Sequence, residues 1–333
     1  MQHLPTRPPV ASPGGRRATV TPVSSLDDLL SRARAALATV IHGKDDVLEH
    51  ALVALAAGGH LLLEDVPGVG KTTLARAIGR SFQMDCHRVQ FTPDLLPTDI
   101  LGTQVLDPRD GSLRFQRGPV FTQVLLADEI NRASPRTQSA LLEAMNEGGV
   151  TMDGVTHGLP RPFFVLATQN PVDHQGTYPL PEAQLDRFML RLSVGYPDAA
   201  SEWAMLTVRR LRDPVDDLTP IADAADLLAL QARVREVAVH EEVGRYLLRL
   251  VAATRDHKDL ALGVSPRGSI ALYRASQALA FLRGRAFVSP DDVRRLAVPV
   301  LAHRVQCGAE AAYAGVSTRA VIAGIVESVP VPT

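Results

Sequence analysis

Two motifs in this sequence carry side chains suited to phosphate chemistry. The first, Pro67-Gly68-Val69-Gly70-Lys71-Thr72, follows an apolar run, and the second, Asp128-Glu129, follows the apolar run Val124–Ala127. Backbone N–H groups of a loop at a helix start converge on phosphate oxygens, and only glycine lets the backbone come so close. A lysine and a hydroxyl in that loop, followed by paired carboxylates, predict a site that binds and hydrolyses a nucleoside triphosphate.

Each side chain of these motifs has an expected role. Lys71 reaches the β- and γ-phosphates, while Thr72 and Asp128 hold Mg²⁺. Glu129 orients and deprotonates the attacking water. The other residues of the loop expected to contact the nucleotide are Pro67, Gly68, Val69, Gly70 and Thr73.

Asp65 departs from the general phosphate-loop pattern, which has glycine at this position. Aspartate tolerates positive φ better than most residues and can cap a loop, but it adds negative charge near a polyphosphate. A loop that binds nucleotide without hydrolysing it is therefore an alternative. The intact order of Lys71, Thr72, Asp128 and Glu129 favours an active site.

Composition agrees with a soluble cytoplasmic protein. The 333 residues contain 35 Lys and Arg against 36 Asp and Glu, so the bulk charge does not favour nucleic acid or an anionic membrane as partner. Cys86 and Cys307 are too few for a disulfide framework or a zinc site. The apolar stretch Ala51–Leu63 is interrupted and too short to span a bilayer, and the N-terminus has no hydrophobic signal core.

The order of predicted elements indicates an α/β fold followed by a helical domain. Residues 1–24 are rich in proline and are expected to be disordered. Residues 25–200 alternate short apolar strands with helices, which predicts a parallel sheet. Residues 201–333 have apolar residues at helical spacing and predict a small helical lid, with a hinge near Pro197–Pro214. Two hairpins, Val105–Phe115 and Val150–His157, are expected to project from the α/β domain.

Three further polar residues stand where a nucleotide hydrolase needs them. Asn170 follows the predicted strand Phe163–Thr168 and can bind the γ-phosphate or the attacking water. Arg187 ends a short helix and can enter a neighbouring subunit's site, although an exposed Arg beside an Asp is usually a weak ion pair. Arg267, in Ser265-Pro266-Arg267, opens a helix of the lid and can reach the γ-phosphate of its own subunit, or can simply pack there.

Together these motifs resemble the AAA+ ATPases and, within them, the MoxR family. The resemblance runs from about Ile41 to Pro332. Its most specific stretches are residues 63–72, 127–133, 167–171, 182–188 and 265–267.

The resemblance implies roles for several residues. Lys71 and Thr72 belong to Walker A, and Asp128 and Glu129 to Walker B. Asn170 matches sensor 1, Arg187 the arginine finger, and Arg267 a sensor 2 that couples nucleotide state to the lid angle. Val40-Ile41-His42-Gly43 matches the segment lining the adenine pocket, so Ile41 and Gly43 are expected nucleotide contacts. The two hairpins match the helix-2 insert and the pre-sensor-1 hairpin of that clade.

The resemblance also implies a cytoplasmic hexameric ring that uses ATP and Mg²⁺ to remodel or mature a client complex, often with a von Willebrand factor A domain partner. The sequence leaves three other functions open: a nucleic-acid motor, a magnesium-chelatase-like subunit and a monomeric small-molecule kinase. The hairpin Val105–Phe115 carries Asp107 and Asp110 beside Arg109 and Arg114, which weakens the nucleic-acid alternative. The expected lid and Arg187 speak against the kinase.

Overall fold

The structure, a computed structural model, describes residues 26–65, 68–170, 176–208 and 213–332, without the side chains of residues 204–208. The predicted tail, Pro67 and part of the predicted hinge lie outside these ranges. The strands are β1 (Leu61–Glu64), β2 (Cys86–Gln90), β3 (Gly102–Leu106), β4 (Leu113–Arg117), β5 (Val124–Asp128), β6 (Gly149–Met152), β7 (Val155–Gly158), β8 (Phe164–Gln169), β9 (Leu190–Leu192), β10 (Leu260–Leu262) and β11 (Gln306–Cys307).

Helices flank these strands and make up most of the C-terminal part. In the described residues they are α1 (Leu29–Ala38), α2 (Asp45–Ala56), α3 (Lys71–Ser81), α4 (Pro97–Leu101), α5 (Pro135–Glu147), α6 (Glu182–Leu185), α7 (Ala199–Val208), α8 (Ala224–Arg235), α9 (Glu241–Arg255), α10 (Pro266–Leu282), α11 (Pro290–Leu301), α12 (Ala309–Tyr313) and α13 (Thr318–Ser328).

The central sheet has the strand order β2-β5-β8-β1-β9, and every pairing in it is parallel. Parallel strands end at the same edge, so the segments after β1, β5 and β8 meet there. These segments are the phosphate loop, the acidic pair and Asn170. The α/β fold with a helical C-terminal lid is thus confirmed.

Both faces of the sheet are covered by apolar side chains. Leu61 and Leu63 belong to one buried cluster and Leu62 to the other, as the alternation of side chains along a strand requires. The first cluster also contains Leu272 of α10 and Leu296 of α11. The C-terminal helices therefore share a continuous core with one face of the sheet.

Local sequence signals fix several helix ends. Ser134 accepts a hydrogen bond from the backbone N–H of Thr137 and caps α5, with Pro135 in the first turn. Gly148 ends the same helix with φ of 63°. Ser289 and Asp292 form a capping box at the start of α11. Helix α7 begins at Ala199, within the predicted hinge region.

Both predicted hairpins form, as β3-β4 and β6-β7. The ring of Phe115 on β4 stacks on that of His157 on β7, with centroids 4.2 Å apart. The apolar side chains of Leu106 and Leu113 are directly paired near the β3-β4 turn and are mostly exposed. The two hairpins therefore contact each other and leave an apolar end in solvent.

Candidate active site

The phosphate loop has the backbone geometry that its glycines permit. Gly68 and Gly70 have φ of 89° and 92°, a region that favours glycine. Among the described residues, a β-carbon at either position would meet no other atom within 4 Å, so this face of the loop is open. Gly70 is the N-cap of α3, whose first turn carries Thr72 and Thr73. The open loop and the N–H groups of a helix start suit a polyphosphate.

Lys71 is buried at the start of α3 and directed back across the loop. Its Nζ donates to the backbone oxygen of Asp65 at 2.9 Å. Burial lowers the pKa of Lys71, while nearby carboxylates, of which Asp128 acts most strongly, oppose that shift. The ammonium group therefore lies between the loop and the acidic pair, where a phosphate would add a further favourable partner.

The Asp65 carboxylate is bonded on the side of β9. Its Oδ2 accepts hydrogen bonds from the backbone N–H groups of Val194 and Gly195, the latter at 3.0 Å, and from Ser193 Oγ at 3.2 Å. This carboxylate thus fixes the chain after β9. These three donors stabilise its negative charge. The aspartate that replaces the usual glycine of the loop pattern therefore has a structural role.

Asp128 ends β5 and is fixed on both carboxylate oxygens. Thr168 Oγ1 donates to Oδ1 at 2.7 Å. Arg88 on β2 donates to Oδ2 from Nη2 at 2.6 Å and from Nε at 3.1 Å. Sequence reasoning missed Thr168 and Arg88, because their contacts follow from the pairing of β2 and β8 with β5.

Glu129 has a left-handed backbone, with φ of 56°. Its N–H donates to Thr168 Oγ1 at 2.8 Å, so one hydroxyl contacts both acidic residues. Its Oε2 accepts from Gln90 Nε2 at 2.9 Å and from Arg132 Nη1 at 3.0 Å. The side chain is therefore held at the carboxyl edge of the sheet, where the phosphate loop lies.

Asn170 directly follows β8 and is almost completely buried. Its backbone oxygen accepts from Asn131 Nδ2 at 3.4 Å. Since β8 lies between β1 and β5, Asn170 is between the phosphate loop and the acidic pair. The structure brings Lys71, Asp128, Glu129 and Asn170 to one edge, as the sequence predicted.

The segment expected to line an adenine pocket packs beside α7. Ile41 is partly buried against the core. Gly43 has φ of 68°, and a β-carbon there would lie 2.3 Å from Ser201 Oγ. Lys44 Nζ donates to the backbone oxygen of Tyr196 at 2.8 Å. Gly43 thus permits a close approach to the chain that follows β9.

Arg187 and Arg267 lie at the other end of β1. Both line a cleft of about 250 Å³ that begins at Gly58–His60, immediately before β1, whereas the phosphate loop follows Glu64. The strand between them has four residues, a length of about 13 Å. The expected contact of Arg267 with its own subunit's γ-phosphate is therefore absent from this arrangement of the described residues.

Hydrogen bonds hold both arginines beside α5. Arg267 Nη2 donates to Asn146 Oδ1 at 2.8 Å, and Arg187 Nη1 donates to the backbone oxygen of Leu142 at 3.0 Å. Within the described residues, the enclosed Nε of Arg187 meets no hydrogen-bond acceptor. Arg274 and Arg304 line the same cleft, which is therefore rich in positive charge.

The described residues contain no cluster of three or more His, Cys, Asp or Glu side chains placed to bind a metal ion. Mg²⁺ in phosphate-processing sites is commonly held by one or two protein oxygens together with substrate phosphates and water. The open glycine loop, Thr72 and the fixed Asp128 suit this arrangement. Within the described ranges, no helix combines the length and apolar composition needed to cross a membrane.

Comparisons with known proteins agree with this geometry. The family model described as "ATPase family associated with various cellular activities (AAA)" matches residues 60–190, and that of the AAA lid domain matches residues 252–325. The chain is 41% identical to Chaperone MoxR1 of Mycobacterium tuberculosis over 97% of its length and 86% of that protein. It is 48% identical to the YeaC protein of Bacillus subtilis, covering 84% and 87% of the two chains.

A solved structure from Cytophaga hutchinsonii, assigned as an ATPase, superimposes with a TM-score of 0.86 at 36% identity. The match covers 92% of this chain and 96% of that one. Fold, sequence and the constellation around Lys71 therefore agree on nucleotide binding and ATP hydrolysis. The chain belongs to the MoxR family of AAA+ ATPases.

Proposed function

We propose that this ATPase works as a cytoplasmic homo-oligomeric ring, expected to be hexameric, in which each active site is completed by two subunits. The observation that carries the proposal is the separation of Lys71, Asp128 and Glu129 from Arg187 and Arg267 by the length of β1. In a head-to-tail ring, the arginine cleft of one subunit faces the phosphate loop of the next.

Within the site, each residue has a defined task. The backbone of Gly68, Val69 and Gly70, with Thr73, binds phosphate, and Lys71 pairs with the β- and γ-phosphates. Thr72 and Asp128 would hold Mg²⁺, which supplies positive charge to the phosphate oxygens when bound.

Hydrolysis then depends on the polar groups at the carboxyl edge of the sheet. Glu129 accepts the proton of the attacking water, and Asn170 positions that water. Arg187 and Arg267 of the neighbouring subunit stabilise the negative charge that develops on the transferred phosphoryl group. Both arginines therefore act between subunits, which replaces the expectation that Arg267 acts within its own.

The work is proposed to be remodelling or maturation of a partner protein. One relative is named a chaperone, and the exposed apolar end formed by Leu106 and Leu113 suits contact with a polypeptide. A von Willebrand factor A domain protein is the expected adaptor. On the same hairpin, Arg114 pairs with Asp107 at 3.1 Å and Asp110 at 3.0 Å, so its charge is neutralised and a nucleic-acid partner is disfavoured.

Mixing two inactive variants tests the shared site. Lys71→Ala removes nucleotide chemistry but keeps the arginine cleft, and Arg187→Ala does the reverse. Each alone is expected to lose most ATP turnover, whereas mixed rings regain part of it because some interfaces carry one intact half from each variant. In a separate measurement on the wild-type protein, ATP turnover per subunit should rise with protein concentration. Absence of recovery together with concentration-independent turnover would contradict the proposal.

A further inference from the structure

Arg304, in the turn between α11 and β11, is a buried charged residue that the site described above does not use. Its Nε donates to Asp186 Oδ1 at 2.7 Å. Its Nη2 donates to the backbone oxygens of Phe188 at 2.5 Å and Asp186 at 3.3 Å, and its Nη1 to that of Met189 at 3.1 Å. One guanidinium group from the lid therefore binds the chain on both sides of Arg187.

Ser265 adds a second tether to the same carboxylate. Its Oγ donates to Asp186 Oδ2 at 3.0 Å and accepts from the backbone N–H of Gly268 at 3.3 Å, which caps α10. The two oxygens of Asp186 are thus bound by two lid residues. Because Arg267 lies two positions after Ser265, the same tether fixes the start of the helix that carries it.

Gly268 makes the close approach of these elements possible. A β-carbon at this position would lie 2.9 Å from Cδ of Arg304 and 2.5 Å from Cγ1 of Val264. Any side chain there would displace the aliphatic part of Arg304. The first turn of α10 is therefore fitted to Arg304, which explains a glycine to which the sequence alone assigns no role.

The guanidinium group suits this task chemically. Burial lowers the pKa of Arg304 to about 10, while Asp186 opposes that shift, so the group stays charged near neutral pH. Arginine offers several N–H donors in a rigid plane, whereas lysine offers a single ammonium point. A lysine could pair with Asp186 but could not also bind the carbonyl groups around it in the same directions.

We propose that Arg304 is a positioning residue for ATP hydrolysis at the neighbouring subunit's site, where it holds Arg187 and Arg267 in one fixed relation through Asp186. The inference rests on the proposed shared site. It assigns the lid a task within that site, which is to set where the two arginines point. Displacements of about 1 Å of a catalytic group can cost on the order of 100-fold in rate.

A mixing experiment separates positioning from a general effect on folding. Arg304→Lys alone is expected to bind ATP normally and to lose turnover by about 10-fold or more. Mixed with Lys71→Ala, it should regain turnover, because its own nucleotide site receives intact arginines from the partner. Mixed with Arg187→Ala, it should not recover, since neither variant then supplies a working arginine cleft.

Paired serine variants give a milder test in case Arg304→Lys folds poorly. Ser265→Ala removes a helix cap and the tether to Asp186. Ser317→Ala removes an equivalent cap from α13, where the serine accepts from the backbone N–H of Ala320. Both variants lose a helix cap, but only Ser265→Ala is expected to lower turnover. Like Arg304→Lys, Ser265→Ala should recover turnover when mixed with Lys71→Ala and not when mixed with Arg187→Ala.

Three outcomes would overturn the inference. The first is wild-type turnover in Arg304→Lys, and the second is equal turnover loss in Ser265→Ala and Ser317→Ala. The third is failure of Lys71→Ala to rescue Arg304→Lys under conditions in which it rescues Arg187→Ala. If Arg187→Ala itself is not rescued, the shared site fails first, and the role of Arg304 at a neighbouring site falls with it.

Discussion

The hydroxyl group of Thr168 donates a hydrogen bond of 2.7 Å to the carboxylate of Asp128. The same oxygen accepts the backbone N–H of the next residue, Glu129, at 2.8 Å. One side chain on β8 thus orients two acidic residues on β5. Such a shared contact ties the geometry of the acidic pair to the pairing of the two strands.

Replacing Thr168 by valine tests this contact. Thr168→Val keeps the shape of the side chain but leaves the N–H of Glu129 without its acceptor, which costs about 1–3 kcal/mol of unfolding free energy. ATP turnover should fall about 10-fold or more, because Asp128 and Glu129 lose the hydrogen-bond partner that orients both of them. Chemical denaturation and ATP turnover measure both effects. Thr151→Val, on the exposed β6-β7 hairpin, is the control and should change neither.

Glu129→Gln separates binding from hydrolysis. The amide keeps the size of the side chain but cannot accept the proton of the attacking water. We expect nucleotide affinity close to wild type and turnover at least about 100-fold lower. Equilibrium binding with a fluorescent nucleotide and steady-state phosphate release measure the two properties. Unchanged turnover would remove Glu129 from the role of base.

Asp65→Gly restores the general loop pattern and is expected to lower the free energy of unfolding. The substitution removes the acceptor of the Val194 and Gly195 N–H groups, and loss of such a partner costs about 1–3 kcal/mol. Thermal unfolding measures this change. Asp153→Gly, in an exposed turn with φ of 49°, is the matched control and should not destabilise the fold. A more stable Asp65→Gly protein would mean that the carboxylate has no structural use.

Acid should destabilise the fold through His60. Burial lowers the pKa of His60 to about 4 from an ordinary value of 6.5, and its Nδ1 accepts the backbone N–H of Val165 at 3.1 Å. Between these two pH values the unfolded chain binds a proton that the folded chain does not, so stability falls as the pH falls from 6.5 to 4. The full gap corresponds to roughly 3 kcal/mol.

Denaturant unfolding across this pH range measures the effect of His60. His60→Asn retains an acceptor but has no titrating ring, so its stability should depend less steeply on pH than that of wild type. Burial also lowers the pKa values of His50 and His303, which leaves part of the slope in the variant. His240→Asn, at an exposed position, should leave the slope of the wild-type protein in place. Equal slopes for His60→Asn and wild type would contradict this assignment.

The motifs at the ends of strands could be predicted from the sequence because each is local. Gly68, Gly70 and Lys71 have a fixed spacing, and the acidic pair directly follows an apolar strand. The partners that orient them could not be predicted. These partners are Arg88, Gln90 and Thr168, which lie on strands next to β5. They contact Asp128 and Glu129 only because of the strand order of the sheet, which cannot be read from the sequence.

The placement of the lid also lay beyond the sequence. The start of α10 at Ser265 and Pro266 follows from local capping signals. The side of the sheet on which α10 packs depends on contacts between residues far apart in sequence, such as Arg304 with Asp186. For that reason the sequence could predict the helix that carries Arg267 but not the position of Arg267 at the end of β1 away from its own phosphate loop.

The core shared by the sheet and the lid bears on how such a ring could generate force. Buried Glu49 of α2 accepts hydrogen bonds from two lid arginines, Arg295 at 2.7 Å and Arg283 at 3.3 Å, above continuous apolar packing. Bending one subunit between sheet and lid would expose this apolar packing and leave the buried Glu49 carboxylate without its arginine partners. In the proposed ring, we therefore expect each protomer to move largely as one rigid unit, so that movements coupled to ATP hydrolysis would occur at the interfaces between protomers.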